Sequence, residues 1–516
     1  MSETSLANNK RIAKNMVAMY IRLFLTVVVG IYTSRVVLQV LGVDDYGIYN
    51  VVGGIVGMLI FLNASMTTST ARFLSYSIGE GDQKKLDIVF SSALLIHLII
   101  AIFIFILCET VGLWFLYNKL SIPEHRMNAA FWVLQFSIIQ TVITIIQTPF
   151  GAAMNAHEHM TVYAYVEIYN AIMKLLIVIL LQYWDWDKLI MYAALYLILG
   201  LSIVFFYNTY CRKHFSECRF RLCWNPPVIK SLCSFSLWNL YSSFSTSVQR
   251  QGLAFLLNMF FGTVANAATG IANTLNGIII GFAYTLCMVV DPQIVKSFAT
   301  KDFSRLNQLV CNSYKYSLLL FQLMAIPLFI EAKYVLDLWL VDVPEYTVIF
   351  VRIIVAISLI SMGSRVLTQA IRATGEIETL SLISGTLTLC VVLFTYISYK
   401  LGQNAQSGYI IMLIVTLIIQ VFEVVLLKKQ IQEVSLKYIL LYGCTISCLI
   451  VGINYICCDF VSNNMEEGFI RLLCVCATSV IVSSLLTYYV ALDSYQRAKV
   501  LTVIKYRMHA LNINSK

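Results

Sequence analysis

The sequence predicts an all-α polytopic membrane protein of about fourteen transmembrane helices, and three observations predict it. Hydrophobic residues make up 59% of the chain and charged residues only 12%, against about 25% charged in an ordinary soluble domain. Mostly apolar runs of roughly twenty residues or more recur from one end to the other, each long enough to cross a ~30 Å hydrocarbon core as a helix. The stretch 42–86 returns at 262–306, at a constant offset of 220 residues. The short alternating segments of a membrane β-barrel do not occur, and in lipid only a helix or a closed barrel satisfies its own backbone.

Taken in order, the expected spans are 12–41, 46–77, 86–108, 125–150, 161–182, 188–210 and 228–260, then 264–295, 306–330, 346–372, 377–400, 406–428, 437–458 and 468–491. The polar opening MSETSLANNKRIAK leads straight into the first span without a small-residue cleavage site, so no cleavable signal peptide is expected. With the N-terminus inside, the even-numbered connections carry the bases: Lys84 and Lys85; Arg212, Lys213, Arg219 and Arg221; Lys296, Lys301 and Arg305; Lys428, Lys429 and Lys437. The tail adds Arg497, Lys499, Lys505 and Arg507. The opposite connections hold chiefly Lys119, Lys333 and Lys400, with the acids Glu331, Asp337, Asp342, Glu345, Asp459, Glu466 and Glu467. That asymmetry places both termini in the cytoplasm, and Trp184, Trp186 and Trp339 fall at outer span ends as interfacial aromatics. The net charge of +9 is therefore a mark of topology, and no nucleic-acid partner is expected.

The repeat adds organisation. Gly42 meets Gly262, Gly57 meets Gly277, Ser77 meets Ser297, Asp82 meets Asp302, and further on Thr148, Ala153 and Glu158 meet Thr368, Ala373 and Glu378. An offset of six spans keeps the orientation of the copies, as in parallel repeats related by an axis along the membrane normal. The expected division is an N-lobe over 1–210, a C-lobe over 211–430, and a C-terminal helix pair with cytoplasmic tail over 431–516.

A base at the centre of a span costs about 2.5–3.5 kcal/mol on insertion scales, so it faces protein or water. Arg22 and Arg35 interrupt the first span and Arg250 the seventh. If these helices line one cleft, the three form a ladder of cations staggered in depth, suited to a phosphate that the planar guanidinium grips with two donors. Lys174, seven residues after Glu167 on one helix face, fits either an internal ion pair or the cleft, and Arg365, Lys315 and Arg352 are further cleft candidates. Span seven is also polar, and Ser243, Ser247 and Gln249 are expected to line a wet cavity. Arg72 and Lys296, near cytoplasmic span ends, read as topology-setting bases.

The buried acids are few: Glu109, Glu167, Asp291 and Glu423. The run His157, Glu158, His159 lacks the i, i+4 histidine pair that puts two ligands on one helix face, so no metal site is expected there. Cys211, Cys218 and Cys223 do not have zinc spacing. No phosphate-binding loop, nucleophile elbow or paired catalytic carboxylates occur, so no catalytic residue, cofactor or enzymatic activity is expected.

The run LGVDDYGIYNVV at 41–52, the run TARFLSYSIGEGDQKKL at 70–86 and the two six-span lobes with an extra pair resemble the multidrug/oligosaccharidyl-lipid/polysaccharide exporter superfamily. The resemblance covers nearly the full length and is strongest to the polysaccharide-transport branch, the Wzx-type flippases. It implies movement of an undecaprenyl-diphosphate-linked oligosaccharide from the cytoplasmic to the periplasmic leaflet of a bacterial inner membrane. It also implies a cationic cavity, alternating access and partners among membrane lipid, a polysaccharide polymerase and glycosyltransferases. Three readings compete with it. A lipid II flippase is close to it. A cation-coupled drug exporter of the same fold calls for an acid in the first or seventh span, where arginines stand instead. A membrane glycosyltransferase needs a large outer loop, and every outer connection is short.

Overall fold

Every long element of the computed structural model is a helix, as hydrocarbon demands of a backbone that water cannot reach. The structure describes residues 3–57, 60–118, 122–183, 186–219, 225–340, 343–435, 437, 445–492 and 496–497, and among them there is no strand. The first helices are α1 (Glu3–Gly57), α2 (Ile60–Glu80), α3 (Gln83–Leu107), α4 (Leu113–Asn118), α5 (Met127–Ala156), α6 (Met160–Leu181) and α7 (Lys188–His214). They are followed by α8 (Pro226–Ala299), α9 (Phe303–Ile330), α10 (Ala332–Trp339), α11 (Thr347–Thr374), α12 (Glu378–Lys400) and α13 (Ser407–Gln430). The last two are α14 (Ile446–Asn463) and α15 (Phe469–Leu486).

Among the described residues, eleven helical stretches are long and apolar enough to cross a membrane. The other three expected spans fall on α1, α2 and the first part of α8, which are helical there. Among the described residues, all fourteen sequence segments fall on helices; 58–59 in the second and 438–444 in the thirteenth lie outside the described residues.

The repeat has a backbone signature. Helix α1 breaks at Gly42, with φ 80 and ψ 171, and α8 breaks at Gly262, with φ 79 and ψ −170. That region of backbone space is essentially open to glycine alone. The two positions the sequence aligns thus perform one task, turning a span end into the next span without unwinding either side. The offset holds at the far end of the unit as well. Gly81 at φ 73 and Lys301 at φ 56 both leave their helices in the left-handed region. Asp82 follows as the N-cap of α3 and accepts the Lys85 N–H at 3.1 Å.

The chain divides into two compact units. The first comprises Met1–Phe244, Met288–Asp302 and Arg372–Leu382; the second comprises Ser245–Cys287, Phe303–Ile371 and Ile383–Lys516. Helix α8 thus starts in the first unit, crosses the second and returns to the first.

In the first unit, Leu74, Phe90, Met154 and Ala156 pack one buried cluster, with Phe90 and Phe150 edge to face at 5.4 Å. Near its opposite end Arg126 binds two carboxylates: one is Asp45, three residues past the Gly42 break, and the other is Asp187, which accepts at 2.6 Å. Asp187 also caps α7 by accepting from the Leu189 and Ile190 N–H groups. Burial raises the Asp187 carboxyl, but the hydrogen bonds from Arg126, Ile190 and Leu189 outweigh it and hold the group below its usual range.

In the second unit, α9 carries the C-terminal pair α14 and α15. Lys315, buried in α9, donates to the Ala491 carbonyl at 2.6 Å, Ser479 donates to the Leu323 carbonyl at 3.3 Å, and Arg471 donates to Glu331 at 2.6 Å. These are polar contacts that lipid makes hard to break, because a separated partner has no solvent to turn to.

Two expectations follow. Gly42→Ala and Gly262→Ala should each cost about 1–3 kcal/mol in thermal unfolding of the detergent-solubilised chain. Gly452→Ala, mid-helix in α14 with nothing within 4 Å of an added Cβ, should be neutral or stabilising; equal losses at all three positions would show that the breaks are not glycine-dependent. A carboxylate held below its ordinary value stabilises the fold above that value and loses the contribution as pH falls through the lowered one. Thermal stability should therefore drop below about pH 4, and Asp187→Asn should be less stable near neutrality and flatter across the acid range.

Candidate functional site

Helices α1 and α6 face each other in the first unit along two polar stripes. On α1 the stripe is Arg22, Thr26, Val29, Gly30, Thr33 and Val37, spaced three or four residues apart as one helix face requires. On α6 it is Tyr163, Glu167, Asn170, Ala171 and Lys174, with the same spacing. Thr26 donates to the Arg22 carbonyl at 2.9 Å and Thr33 to the Val29 carbonyl at 2.7 Å, so their hydroxyls cost little in an apolar helix.

Between the stripes lies a cavity of about 330 Å³. Its lining runs from Thr26 to Val37 on α1 and from Glu167 to Lys174 on α6, with Tyr49 beyond the Gly42 break and Tyr192 from α7. Tyr49 and Tyr192 meet edge to face at 4.9 Å, and the Lys174 ammonium sits 4.9 Å from the Tyr196 ring centroid. Arg22 extends the α1 face one turn beyond Thr26, with its guanidinium 5.7 Å from the Tyr163 ring centroid. Its Nε is buried and makes no hydrogen bond.

Glu167 and Lys174 share the cavity without closing into an ion pair: neither Arg22 nor Lys174 has a carboxylate within ion-pair distance among the described residues. A cavity lined by one carboxylate and one ammonium that do not pair, with a guanidinium one turn beyond its lining, can take a zwitterion or an anion. Its tyrosines supply flat faces and hydroxyls for a polyhydroxylated or aromatic group.

The other sequence candidates are distributed differently. The Arg35 side chain lies outside the described residues. Arg250 is exposed on α8, and Ser243 and Ser247 share its face at i, i+4, i+7. Gln249 turns the other way and is buried. Arg365 stacks its guanidinium 3.6 Å from the Tyr284 ring centroid within the second unit, close enough for a cation–π contact.

Two cleft candidates from the sequence serve packing. Lys315 is spent on the Ala491 carbonyl, and Arg352 donates to the Phe329 carbonyl at 3.0 Å and the Ile330 carbonyl at 3.4 Å. Of the buried acids, Glu109 accepts from Gln135 at 3.3 Å, and Glu423 accepts from Ser364 and, at 2.9 Å, from Thr368. The run at 157–159 diverges, with His157 on Glu217 at 2.5 Å, Glu158 on Gln293 and Lys296, and His159 on Tyr210 at 2.8 Å. Thr26, Thr33, Asn170, Tyr49 and Tyr192 are absent from the sequence expectations. The signal for the threonines was present, since they lie one and three turns along the face that Arg22 defines.

This geometry sits in an all-helical framework with helices long and apolar enough to cross a membrane many times. No family model matches the sequence, and no curated protein matches it. Solved structures do. An outward-facing multidrug resistance MATE family transporter of the MOP superfamily superposes with a TM-score of 0.71 at 13% identity, over 83% of this chain and 97% of that one. A MATE transporter in complex with MaD3S gives 0.70 at 14% identity, over 82% and 97%. A MOP superfamily transporter from Pyrococcus furiosus, in which reverse polarity of the binding pocket suggests a different function, gives 0.68 at 13% identity, over 82% and 96%. At such identities the likeness is one of fold alone.

Cations with packing duties separate from those without by stability. Lys315→Ala and Arg352→Ala, which strip buried carbonyls of charged donors, should each lower unfolding free energy by about 1–3 kcal/mol. Arg250→Ala, on an exposed face, should shift it by less than about 0.5 kcal/mol. A loss at Arg250 equal to that at Lys315 would mean that Arg250 is also held by the fold.

Proposed function

We propose that this protein is a transporter that moves an anionic, lipid-linked substrate across a bacterial inner membrane by alternating access, with both termini in the cytoplasm. The substrate class that the sequence resemblance supplies is an undecaprenyl-diphosphate-linked oligosaccharide, moved from the cytoplasmic to the periplasmic leaflet for a polymerase and glycosyltransferases to use. One observation carries the reading: Lys174 in the α1–α6 cavity, and Arg22 one turn beyond its lining, have no carboxylate within ion-pair distance. Two unpaired cations inside an apolar bundle are costly unless a ligand supplies the counter-charge. A diphosphate supplies it, and the tyrosine faces beside it suit a sugar ring. Arg250 with Ser243 and Ser247 forms a second cationic, hydroxylated face, and Arg365 a third cation; in this reading both meet the same substrate at other stages of its passage. Arg35 keeps its place in the proposed ladder from its position in the first span.

A second reading has an observation of its own. Glu167 puts a carboxylate into the same cavity, and the similar structures include multidrug transporters. A cationic drug exchanged for a proton or sodium ion at Glu167 would use the carboxylate and be repelled by Lys174.

Three variants separate the two. Arg22→Ala and Lys174→Ala should each reduce surface polysaccharide in a strain that depends on this protein by at least about tenfold, the effect of losing one charge-assisted contact, while Glu167→Gln leaves it within about twofold. Drug resistance abolished by Glu167→Gln, with polysaccharide unchanged in all three variants, would replace the flippase reading with the exporter.

A further inference from the structure

Several buried polar contacts of the first unit converge on one face, the one to which the basic residues assign the cytoplasm. The turn between α5 and α6 is their hub. Glu158 adopts φ 64, uncommon for a residue other than glycine, and its side chain is buried. That backbone turns the carboxylate toward the last turns of α8, where Gln293 Nε2 donates to one oxygen and Lys296 Nζ to the other, each at 2.6 Å. From the opposite side Asn15 of α1 donates to the Glu158 carbonyl at 2.8 Å.

A second contact joins α2 to the turn between α11 and α12. Arg72 is buried under Phe73, Tyr76 and Phe235 and donates through Nη2 to the Ala373 carbonyl at 2.9 Å. Gly375, at φ 88, leaves it room: a Cβ there would lie 2.6 Å from Nη2. Between the two, the end of α2 meets the end of α8 so closely that a Cβ on Gly79 would lie 2.7 Å from the Ala299 Cβ.

The segments held this way, 288–302 and 372–382, come from the second half of the chain yet cluster with the first unit. The helices they terminate run on into the second unit. A packing role alone would not need a buried carboxylate and a buried guanidinium, since apolar side chains of similar volume hold helices at least as well. Charged, directional contacts have a different property: they are strong when formed and leave nothing sticky behind when they open to water.

We propose that Glu158 with Lys296 and Gln293, and Arg72 with the Ala373 carbonyl, form a two-point latch. The latch holds the ends of α8 and α11 closed on the cytoplasmic face and releases once in each transport cycle. Its purpose rests on the transporter reading; its existence does not, because it is measurable without substrate.

The test is hydrogen–deuterium exchange on the full-length chain in detergent. In Glu158→Gln, amides of 288–302 should exchange roughly tenfold faster, and in Arg72→Ala those of 372–382 should do so, the size expected for losing a hydrogen bond to a charged group. Exchange in α3 and α5 should stay unchanged, and the double variant should open both segments. Should Glu158→Gln loosen the whole unit, Lys296→Met, which leaves the Gln293 and Asn15 contacts in place, gives the same local reading at 288–302. Exchange unchanged in both segments of the double variant would overturn the latch and leave the proposed substrate untouched. Faster local exchange with polysaccharide export unaffected by Arg22→Ala would support the latch and count against the substrate.

Discussion

Inside hydrocarbon a polar group has no water to fall back on, and that constraint accounts for more of this structure than any single contact. It makes every long described element a helix, and it decides what the intramembrane charges do. Lys315, Arg352 and Arg72 reach backbone carbonyls on other segments. Glu423 collects hydroxyls, and Glu331 collects Arg471 and Ser462. Against that background Lys174 and Glu167 stand out, because they line one cavity without pairing, with Arg22 one turn beyond it. The same economy suits the two glycine breaks: a turn made at one residue strands fewer carbonyls and N–H groups than a longer loop.

The fold was readable because membrane insertion writes its demands into composition. Span length and the 220-residue offset are linear properties of the chain, and the helices follow them closely. Gly42 and Gly262 were visible as aligned landmarks; their shared backbone conformation was not, since any glycine permits it and only the fold requires it. The site was readable in part. Glu167 and Lys174 declare a common face by spacing, but whether they pair or remain apart depends on how α1 and α7 fill the space beside them. Lys315 looks like a cleft residue in sequence because its acceptor, the Ala491 carbonyl, is 176 residues away. Arg72 misleads in the opposite sense: its position near a span end suits a topology marker, while its aromatic surroundings and the Ala373 carbonyl give it a specific tertiary role.

The cavity and the proposed latch are built from different chemistry, and that difference has a functional logic. The cavity charges are separated and cushioned by aromatic faces, so they stay available to something that arrives. The latch charges are matched and directional, so they resist until both partners hydrate. One protein needs both kinds, the first for selectivity and the second for the order of events.

The path of α8 carries a consequence for the integrity of the halves. A polypeptide ending in the connection before Pro226 would contain Glu158 and Arg72 but neither Lys296, Gln293 nor the Ala373 carbonyl. Its carboxylate and guanidinium would then lack the donors and the acceptor that α8 and the end of α11 supply. The N-terminal half is thus complete as a repeat, while the compact unit it belongs to also takes in 288–302 and 372–382. Internal symmetry in sequence, in this chain, does not confer autonomy on its parts.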